Sequence, residues 1–142
     1  MEGEYTHVLI PVDGSDVSLR AAEHGIAIAQ RFGARVTVFH VVDEDLLPID
    51  GRSKLLVEGL EAEAEEIVAE VLDHALEVGI AAESEIGHGS PAQEILATIE
   101  DTGADLVVLG SHGRSGLDKL LIGSVSERVI HRSPIPVLTV RK

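Results

Sequence analysis

The residues with the clearest chemical potential lie in a glycine-rich stretch, Gly110-Ser111-His112-Gly113-Arg114-Ser115-Gly116, which runs on to Gly123-Ser124. The glycines predict a backbone that approaches a ligand closely and reaches φ > 0. Ser124 is expected to open a helix. Free N–H groups and partial positive charge at a helix start make a natural seat for phosphate. The Ser124 hydroxyl can donate to a phosphate oxygen, and Arg114 and Lys119 are nearby cations. His112 either touches that phosphate or stands in solvent. A plain surface loop with a routine serine cap is the weaker reading, because four glycines fall within 14 residues, between an apolar strand and a helix start.

A second loop, Pro11-Val12-Asp13-Gly14-Ser15, follows another apolar run. Its Asp13 either accepts hydrogen bonds from the ribose hydroxyls of a nucleotide or makes a turn before Gly14. Val41-Val42 offers backbone groups and an apolar surface to an adenine. Other chemistries find no support. No G-x4-G-K-S/T phosphate loop and no G-x-S-x-G nucleophile elbow occur. Gly87-His88-Gly89-Ser90-Pro91-Ala92 fits a dinucleotide fingerprint in form. Pro91 removes a donor from it, however, and the next strand ends without an acid for a ribose. The seven histidines show no zinc-ligand spacing, and the chain has no cysteine for a disulfide, a thiolate nucleophile or a metal.

These residues need a scaffold, and strand and helix signals alternate along the chain. Strands are expected at His7–Val12, Arg35–Val42, Ile80–Ile86, Asp105–Gly110 and Val137–Val140. Ser15 and Asp16 offer caps for a helix with Ala21, Gly25, Ile28 and Phe32 on its apolar face, closed by Gly33. A long amphipathic helix over about Ser53 to Val78 buries Leu56, Leu60, Ala64, Ile67, Val71 and Ala75. Ser90-Pro91 opens a third helix to about Thr102, and Ser124 to His131 forms a fourth, stopped by Pro134 and Pro136. The alternating polarity of Ile80–Ile86 marks an edge strand, and the unbroken apolarity of Asp105–Gly110 marks a strand covered on both faces. Such alternation predicts a single α/β domain over residues 1–142, a parallel sheet with helices on both faces. Ligands of such sheets sit at the carboxyl ends of the strands, where the two loops would meet.

Charge is uneven. The chain has 25 acidic and 11 basic residues and a formal charge of −14. Residues 43–105 carry −16 of it, whereas residues 106–142 carry +4. The acids read as solvated helix faces, and the basic, glycine-rich end as a place for a small anion. An acidic field argues against nucleic acid as a partner. The apolar runs are far shorter than the roughly 20 residues that span a bilayer, and the start Met1-Glu2-Gly3-Glu4 does not read as a signal peptide, so a cytoplasmic location is expected. Abundant acids with three lysines suit concentrated salt.

The spaced pattern Gly110-x2-Gly113-x9-Gly123-Ser124, the opening HVLIPVDGSDVS and the turn GHGSPAQEI resemble the universal stress protein family, in its ATP-binding branch. The likeness runs the length of the chain. It implies a Rossmann-like, adenine-nucleotide α-hydrolase-type fold with strand order 3-2-1-4-5. It also implies ATP with Mg²⁺ as ligand, in a site of Pro11, Val12, Asp13, Val41, Gly110, Ser111, His112, Gly113, Arg114, Gly123, Ser124 and Val125. Within it, Asp13 and Gly110 would lie at the ribose and the Val41 backbone at the adenine. Gly113, Gly123, Ser124 and the Val125 N–H would hold the phosphates. The family further implies a homodimer through Val137, Leu138, Thr139 and Val140, and a regulatory role in the stress response. A slow ATPase or phosphotransferase is the alternative, with His112 as its one candidate group.

Overall fold

The computed structural model describes residues 4–43, 54–112 and 123–141. Five strands, β1 (His7–Pro11), β2 (Arg35–Val42), β3 (Ala82–His88), β4 (Leu106–Gly110) and β5 (Val137–Val140), form one parallel sheet in the order β3-β2-β1-β4-β5. Helices α1 (Asp16–Phe32), α2 (Lys54–Glu77), α3 (Pro91–Thr102) and α4 (Ser124–Arg132) connect them. Strand alternation divides the core into two layers. Val8, Ile10, Val36 and Val38 face α1 and α2, whereas Leu9, Phe39, Val107 and Leu109 face α3 and α4. β1 and β4 and most of β2 are apolar because both faces are covered, whereas the edge strand β3 alternates. The expected edge position of β3 and full burial of Leu106–Leu109 both hold. Among the described residues, no helix is long and apolar enough to cross a membrane.

Two helix faces differ from expectation. In α1 the buried stripe is Val17, Ala21, Ala22, Gly25, Ile26 and Ala29, while Ile28 is only half-buried. Phe32 lies exposed at the helix end, its ring edge-on to Tyr5 at 5.3 Å. The stripe runs through small residues because α1 sits very close to β1. A Cβ added at Gly25 would fall 2.7 Å from Ile10 Cδ1. In α2, Ala64, Ile67, Val71 and Ala75 are buried as expected, but Leu56 is exposed and Leu60 half-buried.

The sheet divides at its centre. β1 pairs with β2 along five residues, His7↔Arg35 to Pro11↔Phe39, but with β4 at only Val8↔Leu106 and Leu9↔Val107. The reason is legible in β1 itself. His7 turns its backbone toward β4, where its carbonyl accepts from Asp105 N–H, and Val12 turns toward β2, where its N–H donates to Phe39 O at 2.8 Å. Alternation puts Pro11 on the β4 side, where a ring nitrogen has no hydrogen to donate. The chain then leaves β1 for one face and β4 for the other, so a crevice opens between them.

Candidate functional site

That crevice is a cleft of about 450 Å³. Its first wall is the turn after β1. Ser15 caps α1, its hydroxyl accepting Ser18 N–H at 3.2 Å. Gly14, at φ 86°, makes the bend that a side-chain-bearing residue resists. Asp13 is both the turn former and a cleft residue. Its Oδ1 accepts the Ser15 N–H at 2.9 Å, and the residue also lines the cavity. The two readings of Asp13 are therefore not exclusive.

The opposite wall is the start of α4. Gly123 is its N-cap and brings no side chain, so the first-turn N–H groups at Ser124, Val125 and Ser126 have no side-chain cap. All four residues line the cleft. Ser126 Oγ donates to the Gly110 carbonyl at 2.6 Å and the Gly123 N–H to the Ser111 carbonyl at 2.7 Å, which fasten this helix start to the end of β4. The floor between the walls is apolar, with Val12, Phe39, Val41, Ile95 and Leu109. The cleft thus joins an acceptor at one side, partial positive charge at the other and an apolar surface between.

The cleft collects nine of the twelve expected site residues: Pro11, Val12, Asp13, Val41, Gly110, His112, Gly123, Ser124 and Val125. Ser111 is not among them. It is buried, with its N–H donated to Val140 O and its hydroxyl bonded to His112 Nδ1 at 3.1 Å. Gly113 and Arg114, like Gly116 and Lys119, lie outside the described residues. His112 is 7% exposed, so it does not stand in solvent.

Two glycines act differently from expectation. Gly110 does not adopt positive φ. Its missing side chain serves packing. A Cβ there would lie 2.3 Å from Val17 Cγ1 and 3.3 Å from Ser18 N, inside the first turn of α1. Gly123 has φ −66°, and its Cβ would meet His112 Cα at 3.1 Å. Both permit close contact between segments of the protein. Sequence reasoning also passed over Ser18, His40 and Asp43, which line the cleft. His40 Nδ1–H donates to the Val12 carbonyl at 2.7 Å, tying the end of β2 to the first loop. Its signal was its place beside Val41; for Ser18 it was the spacing from Ser15.

Far from the cleft, at the amino ends of the strands, a second polar group closes on itself. Thr6 N–H and Oγ1 donate to Asp105 Oδ2 at 2.9 and 2.7 Å, and His7 N–H donates to Oδ1 at 3.1 Å. The buried His7 ring donates from Nδ1 to Thr102 O at 3.2 Å and accepts the Thr37 hydroxyl at Nε2, 2.7 Å away. Burial, then the nearby Arg35 charge, lowers the His7 pKa below its usual value and keeps the ring neutral. Burial alone would raise Asp105, but the Thr6 and His7 donors together hold its carboxyl below the usual range.

The universal stress protein family profile matches residues 4–141. Universal stress protein MJ0531 of Methanocaldococcus jannaschii is 44% identical over 144 residues, covering 99% of this chain and 85% of its own. The solved structure of MJ0577, a universal stress protein of the same organism, superposes with a TM-score of 0.88 at 32% identity, covering 97% of this chain and 96% of its own. A universal stress protein solved in complex with cAMP gives a TM-score of 0.67 at 28% identity, over 97% and 98% of the two chains. The chain belongs to the universal stress protein family.

Proposed function

We propose that this universal stress protein binds ATP in the cleft between β1 and β4 and acts as a cytoplasmic, nucleotide-dependent regulator in the stress response. The observation that carries the reading is the polarity of the cleft. Asp13 stands on one wall, the uncapped start of α4 on the other, and an apolar floor joins them. The related protein solved with cAMP supports an adenine nucleotide as the ligand class. In this reading Asp13 accepts from the ribose, the Val41 backbone meets the adenine, and Gly123, Ser124 and the Val125 N–H receive phosphate oxygens. Gly113 and Arg114 belong to the same proposal through the family pattern. Mg²⁺ would be held chiefly by the phosphate oxygens and water, as suits a hard cation that keeps part of its hydration. Among the described residues, no cluster of three or more acidic or histidine side chains makes a cage for it.

A homodimer through β5 completes the reading. The two sheet edges differ in a way that favours it. β3 presents the exposed acids Glu83 and Glu85, which discourage pairing, whereas β5 carries Val137, Leu138, Thr139 and Val140 without charge. The alternative of turnover gains little from the site, since Nδ1 of the buried His112 is already engaged by Ser111 Oγ.

The test is the nucleotide content of the purified protein, followed by calorimetric titration with ATP and Mg²⁺. Near-stoichiometric bound ATP is expected. An empty protein that shows no heat at millimolar ATP sinks the assignment. Gly123→Val is expected to abolish binding while the protein stays folded. The added Cβ would fall 3.1 Å from His112 Cα, so the branched side chain crowds the cleft that both residues line. Unchanged affinity in that variant would mean that the phosphates sit elsewhere.

A further inference from the structure

We infer that Ser18 is a positioning residue that makes the site selective for nucleotides with an intact ribose; this rests on the proposed nucleotide reading. Ser18 is 5% exposed and sits at the root of the first wall. Its hydroxyl accepts the Asp13 N–H at 3.2 Å and donates to the Ser15 carbonyl at 3.0 Å. Its own N–H goes to Ser15 Oγ, while the Ser15 N–H holds Asp13 Oδ1. One hydroxyl therefore ties the Asp13 backbone directly and, through the Ser15 carbonyl, steadies the residue whose N–H holds the Asp13 carboxylate.

The consequence is chemical. A carboxylate has about four acceptor positions, and the Ser15 N–H takes one. That bond restrains the group beside the cleft that Asp13 lines, so its remaining acceptor positions stay near one orientation. A ribose hydroxyl meeting such a preset, charged acceptor gains a strong hydrogen bond, and a deoxyribose forfeits it. Without the Ser18 hydroxyl the loop around Gly14 loses two of its ties. The carboxylate then keeps its charge but loses its aim. Ser18 is itself held in place, because the glycine at 110 lets β4 press against Val17 and the Ser18 N–H.

The experiment compares the affinities of ATP, 2′-deoxy-ATP and 3′-deoxy-ATP, each with Mg²⁺, for the full chain and for Ser18→Ala, Asp13→Asn and the double variant. The wild-type protein is expected to favour ATP over the weaker deoxy analogue by about tenfold, the usual weight of a hydrogen bond to a charged group. Ser18→Ala should bring that ratio close to one, and adding Asp13→Asn should change it no further. A general loosening of the fold would lower all three affinities together and leave the ratio alone. Equal wild-type affinity for the three nucleotides overturns the inference while leaving the site reading intact. An undiminished ratio in Ser18→Ala overturns it as well. Failure of the wild-type protein to bind ATP at all defeats the site reading itself. Should Ser18→Ala not fold, Ser18→Cys replaces it. Its weak thiol must also lower the ratio, and an unchanged ratio is again fatal.

Discussion

The two ends of the sheet use similar residues to opposite effect. At the amino end, His7, Thr37, Thr102, Thr6 and Asp105 spend their hydrogen bonds on one another and close the structure. At the carboxyl end, Asp13, Ser18, Ser126 and His40 bond to nearby backbone and hold a cleft open. The difference follows from where the strands part. β1 and β4 are paired at their starts, and the pairing stops before Pro11. Polar side chains at the paired end have one another within reach, whereas those at the parted end bond to backbone along the rim of the cleft, His40 to Val12 and Ser126 to Gly110. A closed polar group adds stability and nothing else; a fastened but open one can receive a ligand.

The strongest way to break this comparison is Gly110→Ala, because Gly110 joins both walls of the cleft. The added methyl would intrude on Val17 Cγ1 at 2.3 Å and on the backbone of α1 behind it. Overpacking of this kind costs about 1–3 kcal/mol. The push also falls on the loop that holds Asp13 and on the carbonyl that anchors Ser126. Both thermal stability and nucleotide affinity should therefore drop, as followed by denaturant unfolding and calorimetry. Unchanged unfolding would mean that Gly110 was kept for the ligand alone.

His7→Leu sharpens the contrast from the other end. It leaves the Thr37 hydroxyl and the Thr102 carbonyl without their partner, at a cost of about 1–3 kcal/mol near neutral pH. Nucleotide affinity should not move, since the change is at the far end of the sheet. The penalty also has a definite pH dependence. Above about pH 6.5 the ring is neutral in both folded and unfolded chains, and its full contribution is present. As pH falls, the unfolded chain takes up the proton first, because the folded pKa is lowered, and stability declines until that lowered value is passed. The gap between wild type and His7→Leu should thus narrow on acidification. Denaturant midpoints across the range would test this, and a gap that widens has the wrong sign. Asp105, also held low, adds a further loss as pH drops through the carboxylate range.

How much of this was legible follows from how local each signal is. The alternation of elements, the β3 edge and the buried β4 are patterns over consecutive residues, and the sequence displays them directly. The helix start at Ser124, preceded by one glycine, is equally local. The glycine spacing marked Gly110 and Gly123 correctly as special, but their reason is contact with Val17 and His112, visible only after folding. On α1 the expected Ala21 and Gly25 are buried, but the stripe turns through Val17, Ala22, Ile26 and Ala29, so that the larger Ile28 and Phe32 fall off it, a rotation of the face that helical spacing alone does not fix. The His7–Asp105 closure was out of reach, since its partners are 98 residues apart and neither belongs to a motif.

The smallest expected effect concerns the surface that surrounds both ends. Residues 43–105 carry a net charge of −16, and among the described residues Glu58, Glu65, Glu66, Glu70, Asp73 and Glu77 of α2 and Glu83 and Glu85 of β3 are exposed. Like charges on one surface repel across water, and salt shortens their reach from about 10 Å at 0.1 M to about 3 Å at 1 M. Raising KCl through that range should lift the melting temperature by a few degrees. The His7 group is buried and hydrogen-bonded, so salt has little access to it. The rise should therefore be equal in wild type and His7→Leu, leaving their difference constant. A melting temperature that stays flat or falls with KCl would show that the acidic surface carries no destabilising repulsion for salt to relieve. A difference that shrinks with KCl would show that the amino-end closure depends on surface charge, and the two ends would then be less distinct than their hydrogen bonds make them.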